Sequence, residues 1–217
     1  MPIDDDDLTA LLPELDPAPG PALTGGASYD GLRFAGLELT GDATGAHFLE
    51  CELADCGLDA DGDAVGFDRA RLSTCRLAGL RATALSAVDV TWLDVVVTGG
   101  RIGAVTAHGA GLTRVAFEGV TLDYLDLRGA TLADVTVRDC RIRELDLTGA
   151  GLRDVRFETT TVASLVLAGA RSRQVDLRGA EIGGLDGVAA LAGCTISAAQ
   201  LTAWSEALAV HLGISVA

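Results

Sequence analysis

From Phe67 to Ile182 an apolar or small side chain stands at every fifth position, through Leu72, Leu77, Ala82, Ala87, Trp92 and Val97 to Leu167, Ser172 and Leu177, twenty-four positions without a break. Two residues ahead of each runs a second series, from Val65, Ala70 and Cys75 to Val175 and Ala180, interrupted only by Gly100 and Thr160. Each five residues therefore read inward, outward, inward, followed by two outward positions. Alternation at period two means extended chain, and its resetting every five residues means a corner. Repetition of this kind predicts a solenoid. Leu-Asp-Leu-Arg-Gly-Ala at 125, Leu-Asp-Leu-Thr-Gly-Ala at 145 and Leu-Val-Leu-Ala-Gly-Ala at 165 recur every twenty residues, so four pentapeptides make one turn of a square coil. Val-Asp-Leu-Arg-Gly-Ala at 175 falls on a different face.

Residues twenty apart then stack at about 4.8 Å, the spacing of neighbouring strands. Charge supports this register: Glu118, Arg138, Glu158 and Arg178 form a ladder of alternating sign, and Asp123 over Arg143, Arg114 over Asp134 and Arg156 over Asp176 fit it too. Asp126 over Asp146 does not. Before Phe67 the phase shifts. With Leu32 and Leu37 taken as in phase, Phe48, Leu53 and Leu58 sit one residue late, which predicts one residue inserted near 41–46 and one removed near 60–66, with bulged corners at GDATGA and DADGDAVG. Trp92 allows two registers: inward in a locally widened coil, or outward, with Leu93 and Val95 inside, as a contact residue.

A solenoid must cap its apolar ends. Ser197-Ala-Ala-Gln200 has the form of a capping box, and Leu201, Trp204, Leu208 and Leu212 follow at helical spacing before Gly213. This predicts an amphipathic helix of about fifteen residues that plugs the last coil. At the other end DDDDLTALLPEL is either a short helix with Asp at its N-terminus or disordered in its first residues, and PAPGPAL leads into the first coil. The division is 1–27, an acidic, Pro-rich segment and cap; 28–194, the solenoid; and 195–217, the C-terminal helix, cap and candidate dimer interface.

Gly-Ala-Thr-Leu-Ala, Gly-Ala-Gly-Leu-Arg and Gly-Ala-Glu-Ile-Gly resemble the loose A-(D/N)-L-X-X signature of the pentapeptide-repeat family over about residues 28–187. The resemblance implies an all-β solenoid, a right-handed, four-sided β-helix of roughly eight coils with a C-terminal capping α-helix. In the quinolone-resistance branch of that family such a cap joins two subunits end to end. A symmetric homodimer through Leu201, Trp204, Leu208 and Leu212 is the corresponding expectation here, with a cap helix in a monomer as the alternative.

Composition narrows the chemistry. All sixteen basic residues are Arg, and the net charge of −15 is uneven: residues 1–68 hold sixteen acids against Arg33 alone, whereas 109–182 hold eleven acids and ten Arg. An acidic start where a signal peptide needs a basic one, with no apolar run of membrane-spanning length, predicts a cytoplasmic chain without membrane contact. Five cysteines, of which Cys51, Cys56, Cys75 and Cys140 fall on the small inward position, read as packed free thiols. His47, His108 and His211 are scattered, and Gly99-Gly100-Arg-Ile-Gly103 lacks the Lys-Ser/Thr of a phosphate loop. No enzyme, cofactor or metal site is expected, nor direct binding of nucleic acid, because a basic stripe is missing.

Two functions remain. One is a non-catalytic protein–protein interaction module built as a rigid rod, its partner unspecified. The other is implied by the resemblance: a DNA mimic that binds a type II topoisomerase, DNA gyrase or topoisomerase IV, and protects it from quinolones. Mimicry requires a carboxylate surface, for which Glu50, Glu52, Asp55, Asp59, Asp61, Asp63 and Asp68 are the candidates. They would lie at the tips of a dimer joined by its C-termini, and −15 also serves to keep an apolar rod in solution.

Overall fold

A computed structural model describes residues 3–59 and 65–215. The chain forms a parallel β-solenoid. Along one wall ten strands pair in succession, from Asp16–Pro17 to Cys194–Thr195, which gives nine intervals and a rod of about 43 Å at the usual strand spacing. The rod has about nine turns rather than eight, because the Pro-rich lead-in is already part of it: Asp16 pairs with Leu32 and Ala22 with Thr40.

Each regular turn contains one eight-residue strand and one six-residue strand, such as Gly111–Glu118 and Thr121–Asp126. The long strand bends over two faces, with Arg114 left out of the pairing between Thr113 and Val115. Arg114 has φ 51°, and the same bulged corner recurs at Asp94, Asp134, Asp154 and Gln174. Asp, at three of these five corners, tolerates this left-handed conformation better than most residues because its short side chain can hydrogen-bond locally. The repeated Gly-Ala marks another corner. In Leu127-Arg-Gly-Ala130 the Ala130 N–H donates to the Leu127 carbonyl at 3.1 Å, and Gly129 takes φ 65° at the third position of the turn. The Gly-Ala at 179 closes a turn of the same length, but there Gly179 is required by close approach to the Phe157 carbonyl. The displaced copy of the motif thus uses its glycine for a different reason.

From Arg71 to Asp186 all strand pairs keep the twenty-residue register. The central inward series is buried except for Trp92, Ser172 and Ile182. Thr160, an interruption in the other series, is 1% exposed; its hydroxyl donates to the Val137 or Glu158 carbonyl and accepts from the Cys140 N–H.

The early phase differs from the sequence reading. Phe34 pairs with Leu53, which pairs with Leu77, so Phe34 and Leu39 form the central inward row and Leu32 and Leu37 the row before it. The offset between these coils is nineteen, a residue fewer between Leu39 and Phe48 rather than one more. The next offset is twenty-four, four residues more than a regular turn. Removing one residue and adding four are the same modulo five, so periodicity alone cannot tell the second shift; the first has the opposite sign to the expected one because Phe34 and Leu39, not Leu32 and Leu37, form the central row. The Val65 N–H donates to the Leu58 carbonyl at 2.8 Å and closes the base of that excursion, much of which lies outside the described residues.

The helix α1 (Asp5–Leu11), with Asp4 as its N-cap, does not sit over the open end of the coils. It lies against the outer wall formed by Arg71–Ala78 and Thr91–Thr98. Ile3 and Leu8 cover Val96 and Ala116, which point outward from the solenoid yet are 0% and 1% exposed. Asp5 holds Arg76 through two hydrogen bonds of 2.7 and 2.9 Å, and Arg76 also reaches Glu52 at 2.9 Å.

Candidate functional site

At the C-terminal end the capping box is present: Ser197 Oγ accepts from the Gln200 N–H at 3.2 Å, and Gln200 Oε1 accepts from the Ser197 N–H at 2.8 Å. Gln200 also seals the solenoid, since its Nε2 donates to the Leu177 and Ala180 carbonyls at 2.7 and 2.8 Å. These oxygens end the last full turn and have no further coil to meet, so a side-chain amide replaces the missing strand. The expected single helix is broken at Trp204 into α2 (Ala198–Ala203) and α3 (Ser205–His211). Gly213, at φ 73°, then stops the chain in a Schellman-type turn, in which Ile214 N–H bonds the Ala209 carbonyl at 2.8 Å.

The four cap residues separate into two groups. Trp204 is 6% exposed and buried in its own protomer, and Leu208 is half-buried. Leu201 and Leu212 are exposed, together with Val210 and Ile214, at 52 to 70%. Among the described residues, four of the seven large exposed apolar side chains are on this cap.

The acidic candidates do not form a uniform wall. Glu52 is nearly buried between Arg33, at 2.7 Å, and Arg76. Asp68 accepts from Ser86 Oγ at 2.5 Å and the Val88 N–H at 2.9 Å. Asp59 accepts from the Thr83 N–H at 2.8 Å, and hydrogen bonds from Thr83 lower its carboxyl below the ordinary value. Glu50 and Asp55 occupy left-handed corners at φ 51° and 55°. Asp61 and Asp63 lie outside the described residues.

Trp92 is directed inward and half-buried; it pairs in register with Leu72 and Leu112 and packs 6.1 Å from the Phe117 ring. It lines an interior void bounded wholly by apolar side chains, and its Nε1 has no hydrogen-bond partner among the described residues. The inward register is therefore the observed one, and Trp92 is not an outward contact residue; Leu93 is the exposed neighbour.

The charge ladder keeps its register but changes partners. Arg138 bridges Glu118 and Glu158 at 3.7 and 2.9 Å as expected. Arg114, by contrast, pairs with Asp94 below it, and Asp123 with Arg101. Arg178 turns back on Asp176, whose carboxylate also accepts the Arg178 N–H. Asp-x-Arg builds the same clamp at Asp126 and Arg128, and this resolves the stack of Asp126 on Asp146: Arg128 lies 2.6 Å from one and 3.8 Å from the other. Asp126 is 1% exposed, and the Arg128 hydrogen bonds hold its carboxyl below the ordinary value. A depressed carboxyl contributes stability above its unfolded pKa that is lost as pH falls through the folded one. Asp126→Asn is expected to cost about 1–3 kcal/mol at neutral pH and much less once the carboxylate would be protonated, as acid titration of the unfolding free energy would measure. Equal loss at both ends of the titration would contradict the clamp.

Cys51, Cys56, Cys75 and Cys140 occupy the inward corner position, each thiol near the carbonyl two residues earlier and another on the preceding coil. Burial pushes the Cys56 thiol up, and that of Cys140 to about 11. These four are expected to resist iodoacetamide in the native state and to react on unfolding, with half-buried Cys194 modified first, as mass spectrometry of alkylated peptides would read. Rapid native labelling of Cys140 would contradict the packing described.

No protein-family model and no curated protein matches the chain. Among solved structures it is similar to trypsin-treated QnrB1, a plasmid-mediated fluoroquinolone resistance protein, at 12% identity over 88% of this chain and 100% of that one, with a TM-score of 0.41. It is also similar to HetL, a pentapeptide-repeat protein involved in heterocyst differentiation regulation from the cyanobacterium Nostoc sp. strain PCC 7120, at 17% identity over 78% and 89% of the two chains, with a TM-score of 0.29. The five-residue inward pattern, the twenty-residue register and the parallel coil make this chain a β-solenoid of pentapeptide repeats.

Proposed function

We propose that the protein is a non-catalytic interaction module, a rigid rod that joins a second copy of itself through the C-terminal cap. The observation that carries this reading is the concentration of exposed Leu201, Val210, Leu212 and Ile214 on a cap whose sealing hydrogen bonds are made by Gln200 and whose Trp204 is already buried. Apolar side chains gathered at one end of a rod favour contact with a like surface. Light scattering coupled to gel filtration is expected to give the mass of two chains; a monomer at every concentration would reject the pairing.

Mimicry of DNA toward a type II topoisomerase is the second reading, favoured by the sixteen acids of residues 1–68. Against it stands the internal use of Glu52, Asp59 and Asp68. In a supercoiling assay with DNA gyrase the rod reading expects no inhibition. Inhibition that added salt abolishes, and that amide replacements at Glu50 and Asp55 remove, would establish mimicry instead.

A further inference from the structure

Between residues 71 and 188, three of the four faces carry four Arg each at the outward positions flanking the inward row, and they differ in the acids beside them. On the face whose inward residues are Leu72, Trp92, Leu112, Leu132, Leu152 and Ser172, the outward positions flanking them run Arg71, Ser73, Thr91, Leu93, Gly111, Thr113, then Thr131, Ala133, Gly151, Arg153, Arg171, Arg173. They hold four Arg and no acid, in a chain of net charge −15. Arg153 and Arg173 are direct register partners, and Gly151 pairs with Arg171. Like charges stacked on adjacent strands are unfavourable. Arg153 is relieved by Asp154 at 3.3 Å, but Arg171 and Arg173 have no ion pair among the described residues, and all three Arg are exposed.

We infer that this face is a docking surface for an extended acidic segment of another protein. Arg171 and Arg173 stand two apart on one strand, about 6.7 Å along it, which is also the repeat of alternate side chains on an extended ligand. Arg153 adds a third cation about 4.8 Å away on the preceding coil. Thr131, Ala133 and Gly151, on the same face, carry small side chains. The α1 arm already shows acidic chain seated on an outer wall: Asp5 grips Arg76, while Ile3 and Leu8 rest on the small outward residues Val96 and Ala116. The same combination of Arg beside small residues recurs here without an occupant among the described residues. A DNA duplex is disfavoured, since its long phosphate array would meet the acidic body as well as the patch.

The inference rests on the proposed interaction role but not on pairing through the cap. The test is fluorescence anisotropy with a labelled peptide of alternating glutamate and alanine in low salt, on the full chain and on a Val210→Glu, Leu212→Glu variant. Binding is expected in both, weakened about tenfold by Arg153→Glu, Arg171→Glu and Arg173→Glu together. The control replaces Arg69, Arg141 and Arg143 by Glu, which makes the same change in net charge on other parts of the surface, and is expected to leave binding within about twofold. No binding to the full chain, equal weakening by both triple variants, or tighter binding of a DNA duplex to the same three Arg would each overturn the assignment. Circular dichroism confirms that each variant folds. Peptide binding by an unsubstituted chain that is itself monomeric at every concentration would reject the cap pairing and leave this surface standing.

Discussion

Leu147→Ala is expected to lower the unfolding free energy by about 3 kcal/mol, the middle of the range for a buried leucine. Leu147 is 2% exposed, and its turn is stacked between regular turns on both sides. The wall around it cannot close on the gap, because the Ala150 N–H is tied to the Leu147 carbonyl at 3.0 Å and the Leu147 N–H to the Val166 carbonyl at 2.8 Å. The cavity therefore keeps most of its cost. Thr148→Ala, one residue along on the outer surface, should change stability by less than about 0.5 kcal/mol. Urea unfolding of the two variants measures the difference. Similar small losses in both would mean that the interior series does not hold the rod together. Because each coil touches only its neighbours, the leucine variant should also show a broader transition, as the two halves of the rod become less strongly coupled.

The second large effect concerns assembly. Val210→Glu with Leu212→Glu should turn the proposed dimer into a monomer, weakening association by more than about 100-fold, because four charges would have to be desolvated in the paired cap. Both side chains are 70% exposed in the protomer, so thermal unfolding of the monomer should be nearly unchanged. Sedimentation equilibrium of the variant tests this. An unchanged dimer would place the contact elsewhere, and a large fall in melting temperature would show that these residues pack within the chain.

Much of the fold is legible because burial in a narrow coil forces its period on the sequence. The inward series from Phe67 to Ile182, the twenty-residue register, the capping box at Ser197 and the stop at Gly213 can all be read without coordinates. The early phase cannot, since Leu32, Phe34, Leu37 and Leu39 are all hydrophobic and only pairing shows which row each joins. The break at Trp204, whose indole is buried, has no Gly or Pro in the sequence to announce it. Salt-bridge partners escaped because an arginine reaches acids above, below and beside it with similar ease. The docking of α1 did leave a signal. Val96 and Ala116 are consecutive apolar residues on an outward column that otherwise carries Arg76, Thr136, Arg156 and Asp176, and an apolar pair there requires a cover. The row of Arg71, Arg153, Arg171 and Arg173 is legible once residues are sorted by column rather than by stretch, since averaging along the chain hides it among the acids of the adjoining corner and of other faces.

Small-angle X-ray scattering of the full chain tests the proposed end-to-end rod most directly. Two solenoids of about 43 Å with their caps should give a largest dimension near ~100 Å, together with the forward scattering of two chains. A particle with the mass of one chain and a largest dimension of about 55 Å, or a dimer no longer than that because the rods lie side by side, would contradict it.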